Sequence, residues 1–556
     1  MRPVLTALLV AALAAPLVAG PPENPEIPRQ GEELKKFDWD ALYPPGDSWK
    51  EHEQVFVWNN DTEPETLDPA LMTGVTEHNV AMALLEGLTT THPATLQPIP
   101  GAAEWWEISK DGLVYTFHLR ADGKWSNGDP VTAEDFRWSW ERALTPATGC
   151  KYAEMYFPIV GAEAFNAGKA KWEDVGVAVT DPLTLRVTLH DPTPYFLELA
   201  AFDTLYPVHR ATVTKHGDKW TQPGNHVGNG PFRLDDWKPK DRIECSPNPH
   251  WWNRKRMRLS KMVIRAIAEQ GTSMSEYLAG GVDWIRSIPA ARVEDAQAHP
   301  DYYVAPYLGS YFFRFNVTKK PFDDVRVRKA FTQAIDKRAI CEKVLKAGQI
   351  PAEGVVPAGM IPGYPEFKGL AYDPKKAREL FAEAGYPDGR GFPEVELLYN
   401  TLESHKQVCE QMVEMWKTTL GIKVTLANKE WQTYLKDTHS MQFQIARGAW
   451  IADYMDPGTF LDMWCTDRGN NNTGWSSAKY DGLLRAAEKE NDLAKRYSLL
   501  AEAEQLVCAT DVAILPLYYY VNQGMLRPRV KGWHENVRDL HPLQYVWIDG
   551  PPAKGK

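Results

Sequence analysis

Apolar positions along the chain fall into strand-like alternation and helix-like stripes, in mixed order. Residues 54–60 form an apolar run around Phe56, Val57 and Trp58 that predicts a strand. Thr76 is placed to cap a helix through Leu88, with Val80, Leu84, Leu85 and Leu88 on one face. Residues 104–120 predict a hairpin that turns at Lys110-Asp111-Gly112. Thr132 and Asp135 make an approximate capping box for a helix to Leu144. An alternating strand over 183–189 stops at Asp191-Pro192-Thr193-Pro194. Further on, the pattern predicts helices over 325–334 and 374–384. It then predicts a strand over 395–399, a helix over 404–420 and a strand over 423–427. Strand, helix, strand in that order is a βαβ unit. A helical stretch over 480–508 precedes a strand over 513–521. The class is α/β, without internal repeats.

The two ends of the N-terminal region read differently. Met1-Arg2-Pro3, an apolar run from Val4 to Val18 and a small-residue exit predict a secretory signal peptide cut after Ala19. The run is shorter than the roughly 20 residues that span a bilayer, and no later run is long enough. No cysteine near the exit suggests a lipid anchor. The expected mature protein is soluble, exported and periplasmic. Residues 20–50 are rich in proline and charge and predict an extended arm.

Composition narrows the picture. The chain has 556 residues, 44% hydrophobic and 24% charged, which suits a large core in more than one domain. A net charge of −11 argues against nucleic acid as a partner. Most of the 21 tryptophans are expected to pack in cores, with some left to line a ligand site. The six cysteines (Cys150, Cys245, Cys341, Cys409, Cys465 and Cys508) form no CxxC pair, so zinc is not expected. Disulfides are permitted in an exported chain, as are simple buried thiols.

No catalytic motif emerges. His52-Glu53 and His534-Glu535 lack the second histidine of a zinc protease, and there is no nucleophile elbow or phosphate loop. Gly228-Asn229-Gly230 lacks the third glycine of a dinucleotide site and reads as a turn. Paired carboxylates such as Asp453 and Asp456, or Asp235 and Asp236, are expected by chance among 73 acidic residues. No enzyme, metal or cofactor is expected.

The run from Phe315 to Ala330, with Pro321-Phe322-Asp323-Asp324-Val325-Arg326-Val327-Arg328 at its centre, resembles the extracellular solute-binding proteins of peptide ABC transporters. Asp336-Lys337, Tyr372-Asp373-Pro374, Trp125-Ser126-Asn127-Gly128, Gly217-Asp218-Lys219-Trp220 and Tyr518-Tyr519-Tyr520-Val521-Asn522 carry the same resemblance. It spans about residues 54–531 and implies a two-lobed α/β fold with hinge strands and an extra domain. By resemblance, domain I is 20–85, 210–308 and 522–556, domain II is 86–209 and domain III is 309–521. The implied function is enclosure of short peptides and delivery to the membrane permease of an ABC importer, acting as a monomer.

The resemblance also implies a site. Asp453 would meet the ligand's α-ammonium, a role that suits a carboxylate because a buried ammonium needs one. Arg447 and His405 would meet its carboxylate, for which an arginine fork is well shaped. Gly448, Ala449, Trp450 and Ile451 on one side, and Thr73, Gly74 and Val75 on the other, would bond the peptide main chain by strand addition. Trp450 would also line a pocket, and Tyr152 and Tyr520 would touch ligand. Each has a plainer reading: Asp453 in a turn, Arg447 bracing an acid, the aromatic residues in packing. Departures from the family lie at Leu345 (next to Lys346) and Thr438, where relatives carry basic residues, and at Gly309 and Ile451, where relatives can carry a disulfide. The same fold also admits oligosaccharide, nickel or haem as ligand, and an exported hydrolase with a dispersed site is a third reading.

Overall fold

The structure is a computed structural model. It describes residues 30–551 except 44, 45, 467 and 491; the signal peptide lies outside the described residues. Its backbone is a sheet of eleven strands with a separate four-stranded antiparallel sheet. One half of the large sheet orders Phe232–Lys238, Arg242–Pro247, Lys261–Arg265, Val55–Asn59 and Trp284–Ile285. The other half orders Val424–Lys429, Val395–Asn400 and Ile445–Ile451. Between the halves lie two long strands, Tyr302–Phe315 and Ile514–Leu526.

Those two strands of 14 and 13 residues exceed the common length of about 5–6 because each serves both halves. Tyr302 to Pro306 pair with Met525 to Val521, and Ser310 to Arg314 pair with Tyr519 to Ile514. A register irregularity separates the two zones, between Pro306 and Ser310. The four-stranded sheet holds Ala103–Ile108, Val114–Leu119, Thr184–Thr188 and Val177–Asp181.

The halves have distinct cores. Phe56, Trp58, Phe117, Trp140 and Phe232 belong to one apolar cluster. In the other half, alternation along Tyr302–Phe315 sends Tyr311 and Phe313 to one face with Phe331 and Trp416. Phe312 goes to the opposite face with Trp464 and Tyr480. Seven tryptophans (Trp58, Trp106, Trp125, Trp140, Trp220, Trp416 and Trp464) are fully buried, as a packing role requires.

Most predicted elements are present. The hairpin is Ala103–Ile108 and Val114–Leu119. Asp135 accepts from the Thr132 amide at 2.7 Å and its hydroxyl at 2.9 Å, at the head of Ala133–Leu144. The βαβ unit is Val395–Asn400, Glu403–Leu420 and Val424–Lys429, with the strands parallel and Val395 opposite Val424.

Four expectations need correction. The arm is not extended where it is described: Glu32–Lys36, Trp39–Leu42 and Ser48–Glu51 are short helical turns, and Leu34 and Leu42 are buried. The Gly31 amide bonds the Trp106 carbonyl at 2.8 Å, and Trp39 packs edge-on to Trp252 at 4.9 Å; apolar residues spaced through a charged segment were enough to hold it down. The helix expected to Leu88 is Val75–Leu84, capped by Gly74 rather than Thr76. It stops where Gly87 must pass close to another strand of chain: a Cβ there would sit 2.4 Å from the Ala200 carbonyl oxygen. The 480–508 stretch is two helices, Ala478–Lys489 and Leu493–Gln505, the second capped by Asp492 on the Lys495 amide. Gly228 and Gly230 are not turn glycines. A Cβ at either would lie 2.1 and 2.5 Å from the Leu84 backbone, so they serve close chain approach. Asn229 ties that approach by bonding the Glu86 amide and carbonyl at 3.0 and 2.8 Å.

All six cysteines are free thiols, four of them buried. Gly309 and Ile451 stand directly opposite each other on paired strands, and the Ile451 side chain fills the space a Gly309 Cβ would need. Apolar packing joins the two strands at this place. Of the carboxylates noted in sequence, Asp235 and Asp236 pair with Arg233 and Lys238 at the surface. Asp456 forms a buried two-pronged ion pair with Arg496, at 2.5 and 2.8 Å.

That pair fixes the loop after Ile445–Ile451 to the Leu493–Gln505 helix. Arg496→Met leaves the Asp456 carboxylate buried without its cation, and a loss of about 3–5 kcal/mol in unfolding free energy is expected. Denaturant titration of the purified protein checks it; a loss near zero refutes it.

Candidate functional site

The site is organised by the Ile445–Ile451 strand. One edge pairs with Tyr302–Phe315 over its whole length, from Phe315 opposite Ile445 to Gly309 opposite Ile451. The other edge pairs with Val395–Asn400 only at Ile445 and Ala446. From Arg447 onward that edge has no strand partner among the described residues. The Tyr434 hydroxyl donates to the Arg447 carbonyl, and the Ala452 amide donates inward to the Leu308 carbonyl at 2.9 Å. Strand alternation then turns the backbone groups of Ala449 and Ile451 to the open edge. An unpaired edge of this kind takes an added strand.

Just past the strand, Asp453 sits where acids outnumber bases. Its amide donates to the Thr459 hydroxyl at 3.1 Å, and its carbonyl accepts from Arg538. Asp453 keeps some accessible surface, but protein surrounds it closely, so it lines a cleft rather than the outer surface. Burial raises its carboxyl pKa to about 7. Arg538 pulls it down, and Asp203 and Glu154 push it up. Tyr152 lies in the same place, its phenol pushed up by burial and by the Asp453 charge. Trp450 donates to Thr459 Oγ1 at 3.3 Å, so one threonine holds both Trp450 and Asp453.

The opposite end of the strand is basic. Arg447 projects to the Tyr311 face, its guanidinium 4.6 Å from the Tyr311 ring centroid. It donates to the Tyr520 hydroxyl at 2.8 Å and to Asn400 Oδ1 at 3.4 Å. It is buried, yet no carboxylate lies within ion-pair distance among the described residues. Bracing an acid is therefore not its role in this structure. His405 stands behind Tyr311, Nδ1 at 3.3 Å from the Tyr311 hydroxyl. Burial and the Arg447 charge hold its pKa well below the usual value, so the ring is neutral.

The structure thus gathers Asp453, Tyr152 and Trp450 at one end, and Arg447, His405 and Tyr520 at the other. The second main-chain segment leads into a helix: Gly74 is extended and caps Val75–Leu84, and the His78 amide occupies the Gly74 carbonyl at 3.1 Å. Of the two basic departures, Lys346 pairs with Glu294 at an exposed position, and Thr438 bonds its own helix at Leu435. Tyr311, Asn400, Tyr434, Thr459 and Arg538 were missed in sequence. Tyr311 and Tyr434 sit in ordinary amphipathic patterns, and Arg538 lies 85 positions from the acid it supports, so no local signal marks them.

Contacts cross the cleft. The Met455 amide donates to Glu198 Oε2 at 2.6 Å, and Tyr195 stacks on Tyr454 with centroids 4.3 Å apart and planes 6° apart. Tyr195 caps and Glu198 lies in the helical turn Phe196–Leu199, and Met455 and Tyr454 follow the Ile445–Ile451 strand. The molecule is closed.

Residues 97–472 match the family described as Bacterial extracellular solute-binding proteins, family 5 Middle. Periplasmic oligopeptide-binding protein OppA of Escherichia coli is 38% identical over 494 residues, which cover 86% of this chain and 90% of that protein. Haemophilus influenzae OppA in complex with RPPGFSPFR superposes with a TM-score of 0.82 at 34% identity, over 90% of this chain and 99% of that one. The Escherichia coli murein tripeptide binding protein MppA gives 0.83 at 33% identity, over 89% of this chain and 98% of its own. The unliganded open form of MppA gives 0.69 over 89% and 97%, and the lower value agrees with a closed cleft here. No described helix is long and apolar enough to cross a membrane. The fold, the placement of the site and the extent of these matches have one reading: the chain belongs to family 5 of the bacterial extracellular solute-binding proteins.

Proposed function

We propose that this protein is an exported receptor that closes over a short peptide and hands it to the permease of an ABC importer. One observation carries the reading. The free strand edge at Ala449 and Ile451 runs between an acidic end at Asp453 and a basic end at Arg447. A peptide is the ligand whose ends carry the opposite charges and whose backbone fits that edge. Arg447 and Asp453 are six positions apart, on the order of 20 Å in extended chain. That span suits a ligand of a few residues.

Backbone recognition reads what all peptides share, so Gly448, Ala449, Trp450 and Ile451, with Thr73, Gly74 and Val75 opposite, serve many sequences. Tyr152 and Tyr520 border the two charged ends. Domain I is 20–85, 210–308 and 522–556, domain II is 86–209 and domain III is 309–521, with the register irregularity near Pro306 acting as the hinge. The receptor works as a periplasmic monomer after removal of its signal peptide, needs no cofactor and does not cleave its ligand. The OppA complex supports the peptide assignment, and the resemblance of site residues supports the roles.

Three outcomes are expected. Asp453→Ala weakens binding of a free-amine tripeptide on the order of 100-fold, because the ligand's ammonium is left buried without its partner. The N-acetylated tripeptide loses far less. Calorimetry on both peptides checks this, and equal losses refute the role of Asp453. Peptides incubated with the protein for a day are recovered intact by mass spectrometry; fragments refute a binding-only receptor.

The third concerns pH. Closing over an empty site carries the Asp453 carboxyl from its ordinary range to about 7, so the closed form binds the extra proton. Ligand-free closure therefore carries no such penalty below about pH 4, is progressively penalised as pH rises from about 4 to about 7, and bears the full penalty above that. Solution scattering of ligand-free protein should show compaction as pH falls from 8 to 5. Asp453→Asn should be compact already at pH 8. A radius of gyration independent of pH in the wild type refutes it.

A further inference from the structure

Arg314 is a second buried arginine of this region, and the peptide-site reading gives it no role. It lies on Tyr302–Phe315, opposite Ala446, and is 8% exposed. Its guanidinium stands 5.2 Å from the Phe312 ring and 5.8 Å from the Trp464 ring, on the sheet face away from Arg447. No carboxylate is within ion-pair distance among the described residues, and none contributes to its electrostatics. Its oxygen partner is the Tyr434 hydroxyl, which itself donates to the Arg447 carbonyl. Among the described residues Arg314 Nε has no hydrogen-bond partner, and neither has Trp464 Nε1 beside it. The pocket is rich in donors and holds no anionic side chain among the described residues.

Its position is set by Gly448. A Cβ on Gly448 would lie 3.1 Å from Arg314 Nη1 and 2.4 Å from Phe312 Cε2. The missing side chain leaves room for the guanidinium directly beside the open strand edge. In a strand added at that edge, a residue beside Gly448 has its Cβ about 5 Å away from this position. A side-chain carboxylate on the Arg314 face bridges the rest. One further cation is close: burial, Arg314 and Lys151 together lower the pKa of the exposed His439, which leaves that ring neutral, and Lys151 comes from the loop before Tyr152. A buried guanidinium without an acid is costly, and an anion supplied by the ligand relieves that cost.

We propose that Arg314 forms the floor of a side-chain subsite that selects an acidic residue, Asp or Glu, in the bound peptide. The proposal rests on the peptide-receptor reading. It makes this receptor selective at one position while the backbone contacts stay general. The subsite is distinct from the carboxylate end, because Arg447 projects to the other face of the sheet.

Calorimetry on the full-length mature protein tests it. A tripeptide and a tetrapeptide set place Glu, Gln or Lys in turn at positions two, three and four, each with free and amidated C-termini. At one position Glu is expected to bind ~10–100-fold tighter than Gln, the range of a charge-assisted hydrogen bond. That preference persists when the C-terminus is amidated. Arg314→Gln reduces the preference below about twofold, Arg314→Lys keeps part of it, and Arg314→Glu turns it toward Lys, following the charge rule. A wild type that binds these peptides but treats Glu and Gln alike at every position overturns the subsite and leaves the receptor reading standing. A preference that vanishes on amidation also overturns it, because the carboxylate then belonged to the ligand's terminus. No binding of any peptide overturns both readings.

Discussion

The open edge of the Ile445–Ile451 strand sets the terms for everything around it. Backbone groups facing a cleft must find partners, and beyond the Arg447 carbonyl, which Tyr434 meets, this edge has no strand partner among the described residues. In the closed molecule that leaves the edge to be satisfied by whatever the cleft encloses. The charges follow the same logic. Asp453 is surrounded by more negative charge than positive, while Arg447 and Arg314 are buried without acids. Each is a poor interaction on its own, and each becomes a good one when a ligand brings the complement. The site stores its affinity as unsatisfied groups arranged in a line.

Closure is what makes that arrangement matter. In water, exposed ion pairs are worth about 0–1 kcal/mol, but the same groups enclosed by protein interact far more strongly. The bridging contacts between Glu198 and Met455 and between Tyr195 and Tyr454 are modest in number. They hold the cleft shut only against small opposing terms, so burial of Asp453 without a partner weighs appreciably against them. Ligand and closure are thereby coupled through one carboxyl group. The crossing strands provide the path: two continuous ribbons whose register shifts between Pro306 and Ser310 and again between Tyr311 and Phe312.

Much of this was legible in the sequence, and the parts that were not share a cause. Periodicity found the βαβ unit, the hairpin and the capping box, because each is set by neighbours within about twenty residues. It overran at Leu84, where the stop is set by Gly87 meeting Ala200, and it merged two helices that Asp492 separates. The glycines at 228 and 230 were misread because their reason, the Leu84 backbone, is more than a hundred positions away. The site residues were found through resemblance to a family, not through spacing. Arg314 was invisible to both. Its significance lies in what is absent around it, and only the packed structure displays an absence. Thr459 and Arg538 escaped for a plainer reason, since they support Asp453, at its backbone and its carboxyl, from elsewhere in the chain.

The two long strands carry a final consequence, for how such a protein can be divided. Each half of the large sheet needs both Tyr302–Phe315 and Ile514–Leu526 to complete its hydrogen bonding. Cutting either strand at the irregular zone would expose two raw sheet edges, the kind that seek pairing with other molecules. The lobes are thus separate in core but not in chain. Neither can be lifted out as a free-standing module, and recombination between relatives would preserve the sheet most easily by exchanging loops and pocket residues such as Arg314. Diversity in what the receptor accepts is then carried by single side chains on a scaffold inherited whole.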